Sequence, residues 1–151
     1  MRLVKGAALG LLNRSFSSED EVAIIAFRGT EAQTLLEPSH EIDDAARALE
    51  YLPTGGRTPL AHALELAKTY VTPSTLLILM SDGRANVAIR DSEPWLEALA
   101  IANQLHCRAL VIDTETSGHA IGRISELAAA LRATSVHLAD INDLDVLAIT
   151  I

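Results

Sequence analysis

Aromatic side chains are nearly missing from this sequence: Phe, Trp and Tyr make up 3% of its 151 residues. A folded core must therefore be aliphatic, built from Leu, Ile, Val and Ala. Cysteine occurs once, at Cys107, so an intramolecular disulfide is excluded. Cys107 opens an apolar run through Ile112, and no neighbouring residue would lower its pKa, so a buried, unreactive thiol is expected. Basic residues are also few, 12 Lys and Arg against 20 Asp and Glu, for a net charge of −8. That balance disfavours binding to a nucleic-acid backbone. It fits a cation or a basic partner surface, or serves only solubility. No run reaches the ~18 apolar residues of a membrane span. Residues Met1–Gly6 lack a signal-peptide layout, so a reducing, cytoplasm-like compartment is the expectation. Walker, G-x-G-x-x-G, G-x-S-x-G and H-E-x-x-H patterns are all missing. The histidines (His40, His62, His106, His119, His137) lack metal-ligand spacing and are expected to be structural or at the surface.

What remains has the length of one domain and, at 49% hydrophobic residues, the composition of a globular one. Val4, Ala7, Ala8 and Leu11 recur at helical spacing, which predicts a helix over Leu3–Leu12. Val22–Phe27 is almost wholly apolar and reads as a strand buried on both faces. Gly29-Thr30 then turns into a weaker antiparallel edge strand over Ala32–Leu36. Ile42, Ala45, Ala46 and Leu49 mark a second helix, ended by Pro53. After the loop Thr54-Gly55-Gly56-Arg57, Thr58-Pro59 opens a third helix, with Thr58 as N-cap and Pro59 at the first helical position. Strands over Leu76–Met80, Leu110–Ile112 and Val136–Leu138 alternate with helices carrying Trp95, Leu99 and Ala102, then Ile121, Ile124, Leu127, Ala128 and Leu131. Leu144, Leu147, Ala148 and Ile151 suit a last helix or an extended end. The alternation predicts an α/β fold with a mostly parallel sheet and helices on both faces. No repeat, low-complexity tract or linker interrupts it.

Sites in such sheets form beyond the carboxyl ends of the strands. Asp82 and Asp113 stand there. Asp82 precedes Gly83, which permits a sharp turn, and Thr58 is expected at the same rim. A hydroxyl and a carboxylate are hard oxygen ligands suited to magnesium or calcium. Equally, Thr58 only caps a helix and Asp82 only organises a turn. Asp113 and Glu115 either raise the negative potential of the rim or are ordinary loop acids. Arg57, Arg84 and Arg90 sit on the same loops, to pair with an acidic partner or to neutralise the rim. The late acids Asp140, Asp143 and Asp145 lack an EF-hand layout and read as a helix start.

The segments Leu52-Pro53-Thr54-Gly55-Gly56-Arg57-Thr58-Pro59-Leu60-Ala61-His62 and Leu79-Met80-Ser81-Asp82-Gly83-Arg84-Ala85-Asn86-Val87 belong together. With Val22–Arg28 and Val111–Glu115, they resemble the integrin I-like (von Willebrand factor A) domain of the magnesium chelatase D subunit family; cobalt chelatase subunits are close behind. The resemblance runs along nearly the whole chain. It implies a three-layer, doubly wound, Rossmann-like fold. It implies an assembly platform without chemistry of its own, meeting an AAA+ ATPase subunit and a large porphyrin-binding subunit that together insert Mg²⁺ into protoporphyrin IX. Self-association is a further partner option, and the compartment becomes the chloroplast stroma if the source is a plant or alga. The family's metal-ion-dependent adhesion site carries over to Thr58 and Asp82. Arg57, Arg84, Asn86, Asp113 and Glu115 become rim residues for a partner. A free-standing adhesion or AAA+-adaptor module is the alternative, and a small hydrolase using Asp82 a third.

The family's Asp-x-Ser-x-Ser segment is not found in the sequence. In the family it ends a central strand, just before the helix where this chain begins, so an N-terminally shortened domain is expected. Thr58 and Asp82 alone supply too few oxygens for tight Mg²⁺ binding, so weak or no binding is expected. The family's central strand would lie between Val22–Phe27 and Leu76–Met80. The exposed edges are expected to close on each other, or to be filled by a second copy or by Val146–Ile151.

Overall fold

Strong apolar periodicity places the elements where the sequence predicts them. The computed structural model describes residues 2–52, 55–90, 92–116 and 122–141. Its elements are α1 (Arg2–Ser15), β1 (Val22–Arg28), β2 (Glu31–Ser39), α2 (Ile42–Glu50), α3 (Leu60–Ala67), β3 (Leu76–Ser81), α4 (Pro94–Ala102), β4 (Arg108–Asp113), α5 (Arg123–Ala130) and β5 (Thr134–His137), then a 3-10 turn over Leu138–Asp140. The expected last helix, Pro53, Ile121 and His119 lie outside the described residues.

β3, β4 and β5 form a parallel sheet in that order, in the register Leu79↔Val111 and Ile112↔Val136. Side chains alternate across it with the period of two that strands impose. Leu79, Ala109 and Val111 face Leu60 and Leu64 of α3, Trp95, Ala98 and Ile101 of α4, and Ile124 and Leu127 of α5. Leu110, Ile112, Ile78 and Met80 face the other way, against Leu11 and Ala7 of α1. Three layers result. Trp95, the only tryptophan, is buried; its Nε1 donates to Glu126 Oε2 at 2.8 Å, and Arg123 stacks over its ring.

β1 and β2 pair antiparallel in a sheet of their own. α3 packs on both strands as well as on the main core, and Tyr70 beyond its end hydrogen-bonds Thr34 and Glu37 of β2. α2 packs on β1–β2 and touches α1. Direct closure of β1 onto β3 is not what occurs: among the described residues the two strands belong to separate sheets. Val146–Ile151, the other intrachain filler, lies outside the described residues.

Three expectations are corrected by local causes. β1 is not buried on both faces: only Ala26 is buried, and among the described residues the strand pairs along one edge alone. The final strand stops at His137, whose Nδ1 accepts from Ala139 N and caps the 3-10 turn that takes Leu138. Cys107 is half-buried, since it precedes the paired part of β4. Its partial burial still pushes the thiol pKa up, against a backbone hydrogen bond from Leu77 and the charge of Arg132. Among the described residues no helix is long and apolar enough to cross a membrane.

Leu64 is 1% exposed and sits where α3 meets the sheet, whereas Leu96 on α4 is 64% exposed. Leu64→Ala is expected to lower unfolding free energy by about 3 kcal/mol in urea titration, and Leu96→Ala by less than about 0.5. Equal losses would contradict this core.

Candidate functional site at the sheet rim

The carboxyl ends of β3 and β4 lie side by side, with Ser81 paired to Asp113 and Thr114 N donating to Ser81 O at 3.0 Å. The chain leaves β3 through Asp82-Gly83. Gly83 has φ +74°, a conformation that glycine adopts without a Cβ penalty. Ser81 Oγ accepts from Gly83 N at 3.2 Å, and Asp82 Oδ1 accepts from Arg84 N at 3.1 Å. Asp82 therefore organises the turn, as a short carboxylate does by bonding backbone two residues on.

The loop that follows has no regular structure, so its backbone groups need other partners. Asn86 Oδ1 accepts from Thr58 N at 2.7 Å, and Asn86 N donates to Thr58 O at 3.1 Å. The His62 ring meets Ala88 O through Nε2 at 3.2 Å. Glu97, buried on α4, accepts from Ile89 N at 2.6 Å and from Arg90 N at 3.0 Å. α3 and α4 thus hold the rim loop between them.

Thr58 and Asp82 are brought to one rim through this loop, but Thr58 is not the helix cap. α3 starts at Leu60, with Pro59 in the capping position and no side-chain cap bond. The reciprocal bonds to Asn86 keep the Thr58 backbone off the helix. Asn86, expected as a partner contact, is exposed yet already engaged as this clamp. The glycine loop reaches the β1–β2 turn: Gly29 N donates to Arg57 O at 3.1 Å, and a Cβ on Gly56 would lie 3.6 Å from Gly29 N. A cavity of about 320 Å³ lies there, between Arg28–Glu31 and Gly55-Gly56.

Arg84 reaches across the strand ends. Its Nε lies 3.5 Å from Asp82 Oδ2 and its Nη2 lies 3.6 Å from Glu115 Oε2. Glu115 is buried, its N donates to Asp113 Oδ1 at 2.9 Å, and its carbonyl meets His137 Nε2 at 2.8 Å. Asp113 and Glu115 are therefore built into the rim rather than being free loop acids. The ring nitrogens of His40 and His106 also have structural partners. Glu97 and the Glu93 cap on Leu96 N were not singled out by the sequence; the only signal is Glu93-Pro94 at a helix start.

No family model matches the chain. It is 35% identical to the magnesium-chelatase 67 kDa subunit of Chlorobaculum parvum, over 87% of this chain and 25% of that protein. It is 29% identical to the uncharacterized protein MJ0910 of Methanocaldococcus jannaschii, over 76% of this chain and 72% of that protein. The VWA domain of SpRpn10 superposes with a TM-score of 0.61 at 10% identity, over 96% of this chain and 80% of that one. The chain has the von Willebrand factor A fold and is homologous to a segment of magnesium-chelatase subunits. It spans about a quarter of the 67 kDa relative's length. Proximal thread matrix protein 1 of the mussel byssus, described with a zinc-occupied MIDAS motif, shares the fold at a TM-score of 0.68 and 15% identity, over 98% of this chain and 41% of that one.

The metal such a VWA site holds needs several converging oxygens. Among the described residues no group of three or more His, Cys, Asp or Glu is placed to hold an ion. Asp82 directs one oxygen at the Arg84 amide and the other toward its guanidinium.

Removing the Glu97 carboxylate strands the Ile89 and Arg90 amides. Glu97→Ala is expected to cost about 1–3 kcal/mol in urea unfolding, with Glu97→Gln intermediate. A loss no larger than that of an exposed control would contradict the clamp.

Proposed function

We propose that this VWA domain is a docking module of a chelatase-type complex, contributing a shaped rim rather than catalysis. Its partners are an AAA+ ATPase subunit and a large porphyrin-binding subunit, in an assembly that inserts Mg²⁺ into protoporphyrin IX. The observation that carries this reading is 35% identity to a magnesium-chelatase 67 kDa subunit across most of the chain. The rim supports it too. Asn86 and Glu97 are committed to holding the loop over residues 82–90, and Asp82 faces an arginine rather than a general base. A free-standing VWA module is the second reading, favoured by one observation: the MJ0910 match spans 72% of that protein.

Immobilised chain is expected to capture purified porphyrin-binding and AAA+ chelatase subunits from a defined mixture. Capture of neither would favour the free-standing module. Mg²⁺ affinity is expected to be weaker than micromolar by titration calorimetry, since Thr58 and Asp82 leave most of the roughly six ligand positions to water. A micromolar dissociation constant would overturn that expectation.

A further inference from the structure

The turn after β3 carries a covalent hazard. Asp82-Gly83 is the sole place in the sequence where an Asp or Asn precedes glycine. Such a pair is labile in an open chain. The glycine nitrogen attacks the aspartate Cγ, and glycine has no Cβ to hinder the approach. An N–Cγ bond forms and a Cγ–O bond breaks. The oxygen leaves as water, carrying the amide proton and one from solvent, and a five-membered succinimide remains. Water then opens the ring at either carbonyl. One opening restores aspartate. The other leaves isoaspartate, whose main chain runs through Cβ and Cγ.

The folded rim occupies both reactants. Gly83 is buried, and its N–H donates to Ser81 Oγ at 3.2 Å. Ser81 is itself fixed: it is 5% exposed, and its carbonyl accepts from Thr114 N at 3.0 Å. Asp82 Oδ1 accepts from Arg84 N at 3.1 Å, and Oδ2 lies 3.5 Å from Arg84 Nε. Whichever oxygen leaves must first give up Arg84, and the nitrogen must give up Ser81. We propose that Asp82-Gly83 is a latent isoaspartate site, kept intact by Ser81 Oγ on the nucleophile and by Arg84 on the carboxylate. The reaction needs no reagent beyond water, so the shape of this turn sets its rate. Its product dismantles the rim. The lengthened main chain and displaced carboxylate take the acceptor from Arg84 N, just before the Asn86 clamp on Thr58.

The test ages the folded chain beside a free peptide covering Met80 to Ala85, in one neutral buffer at body temperature. Isoaspartate is read by methyl transfer from an L-isoaspartyl methyltransferase and placed at residue 82 by electron-transfer fragmentation. The peptide is expected to accumulate it at least about tenfold faster than the folded chain, the combined worth of two hydrogen bonds. Ser81→Ala is expected to raise the rate in the folded chain about two- to tenfold, the range that one hydrogen bond commands. Ser81→Thr keeps the hydroxyl and should stay near the parent rate, and Asp82→Glu should abolish the signal. In the isoaspartyl form, separated by chromatography, the Thr58 and Asn86 amides are expected to lose protection from hydrogen exchange. Equal rates in peptide and folded chain overturn the proposal, whether or not Ser81→Ala folds. So does a folded Ser81→Ala that ages no faster than the parent. Full protection of Thr58 and Asn86 in the isoaspartyl form overturns the stated effect on the rim.

Discussion

Two hydrogen bonds between Thr58 and Asn86 are the constraint on which this rim depends. β1 and β3 are not paired to each other, so among the described residues no continuous ladder carries the β1–β2 hairpin across to the parallel sheet. The connection runs instead through the short segment before α3. Arg57 accepts from Gly29 on the hairpin side, and Thr58 exchanges both backbone bonds with Asn86 on the sheet side. α3 then buries Leu60 and Leu64 in the main core while also packing on β1 and β2. A loop with no ladder of its own is held in one shape because each anchoring residue sits on a packed helix or its leader.

That arrangement separates two roles among polar residues. Asn86, His62 and Glu97 satisfy backbone groups of the loop and fix its path. Arg84 and Arg90 face outward over carboxylates that fix their direction. Asp82 belongs to both groups, closing the turn with one oxygen and steadying Arg84 with the other. Here the local chemistry is that of an oriented guanidinium.

The helices and strands were legible because their apolar spacing is strong and their core, Trp95 apart, is largely aliphatic. The Thr58–Asp82 rim was legible from strand ends and glycines. The failures share a cause: they turn on partners distant in sequence. Thr58 looks like an N-cap until Asn86, 28 residues away, claims its backbone. β1 looks doubly buried until its pairing is seen to run along one edge alone among the described residues. Glu97 looks like a solvated helix residue, and only the fold shows the loop amides above it. The acids after β4 looked exposed because a sequence carries no sign that His137 and Arg84 converge on Glu115.

The central claim is that the rim is one pinned unit, and amide hydrogen exchange measured residue by residue tests it most directly. The account predicts that Thr58, Asn86, Ile89 and Arg90 amides are protected well above free loop amides and lose protection together in Asn86→Ala. Exchange of these four at the rate of an unstructured loop, or loss of Thr58 protection alone, would contradict it.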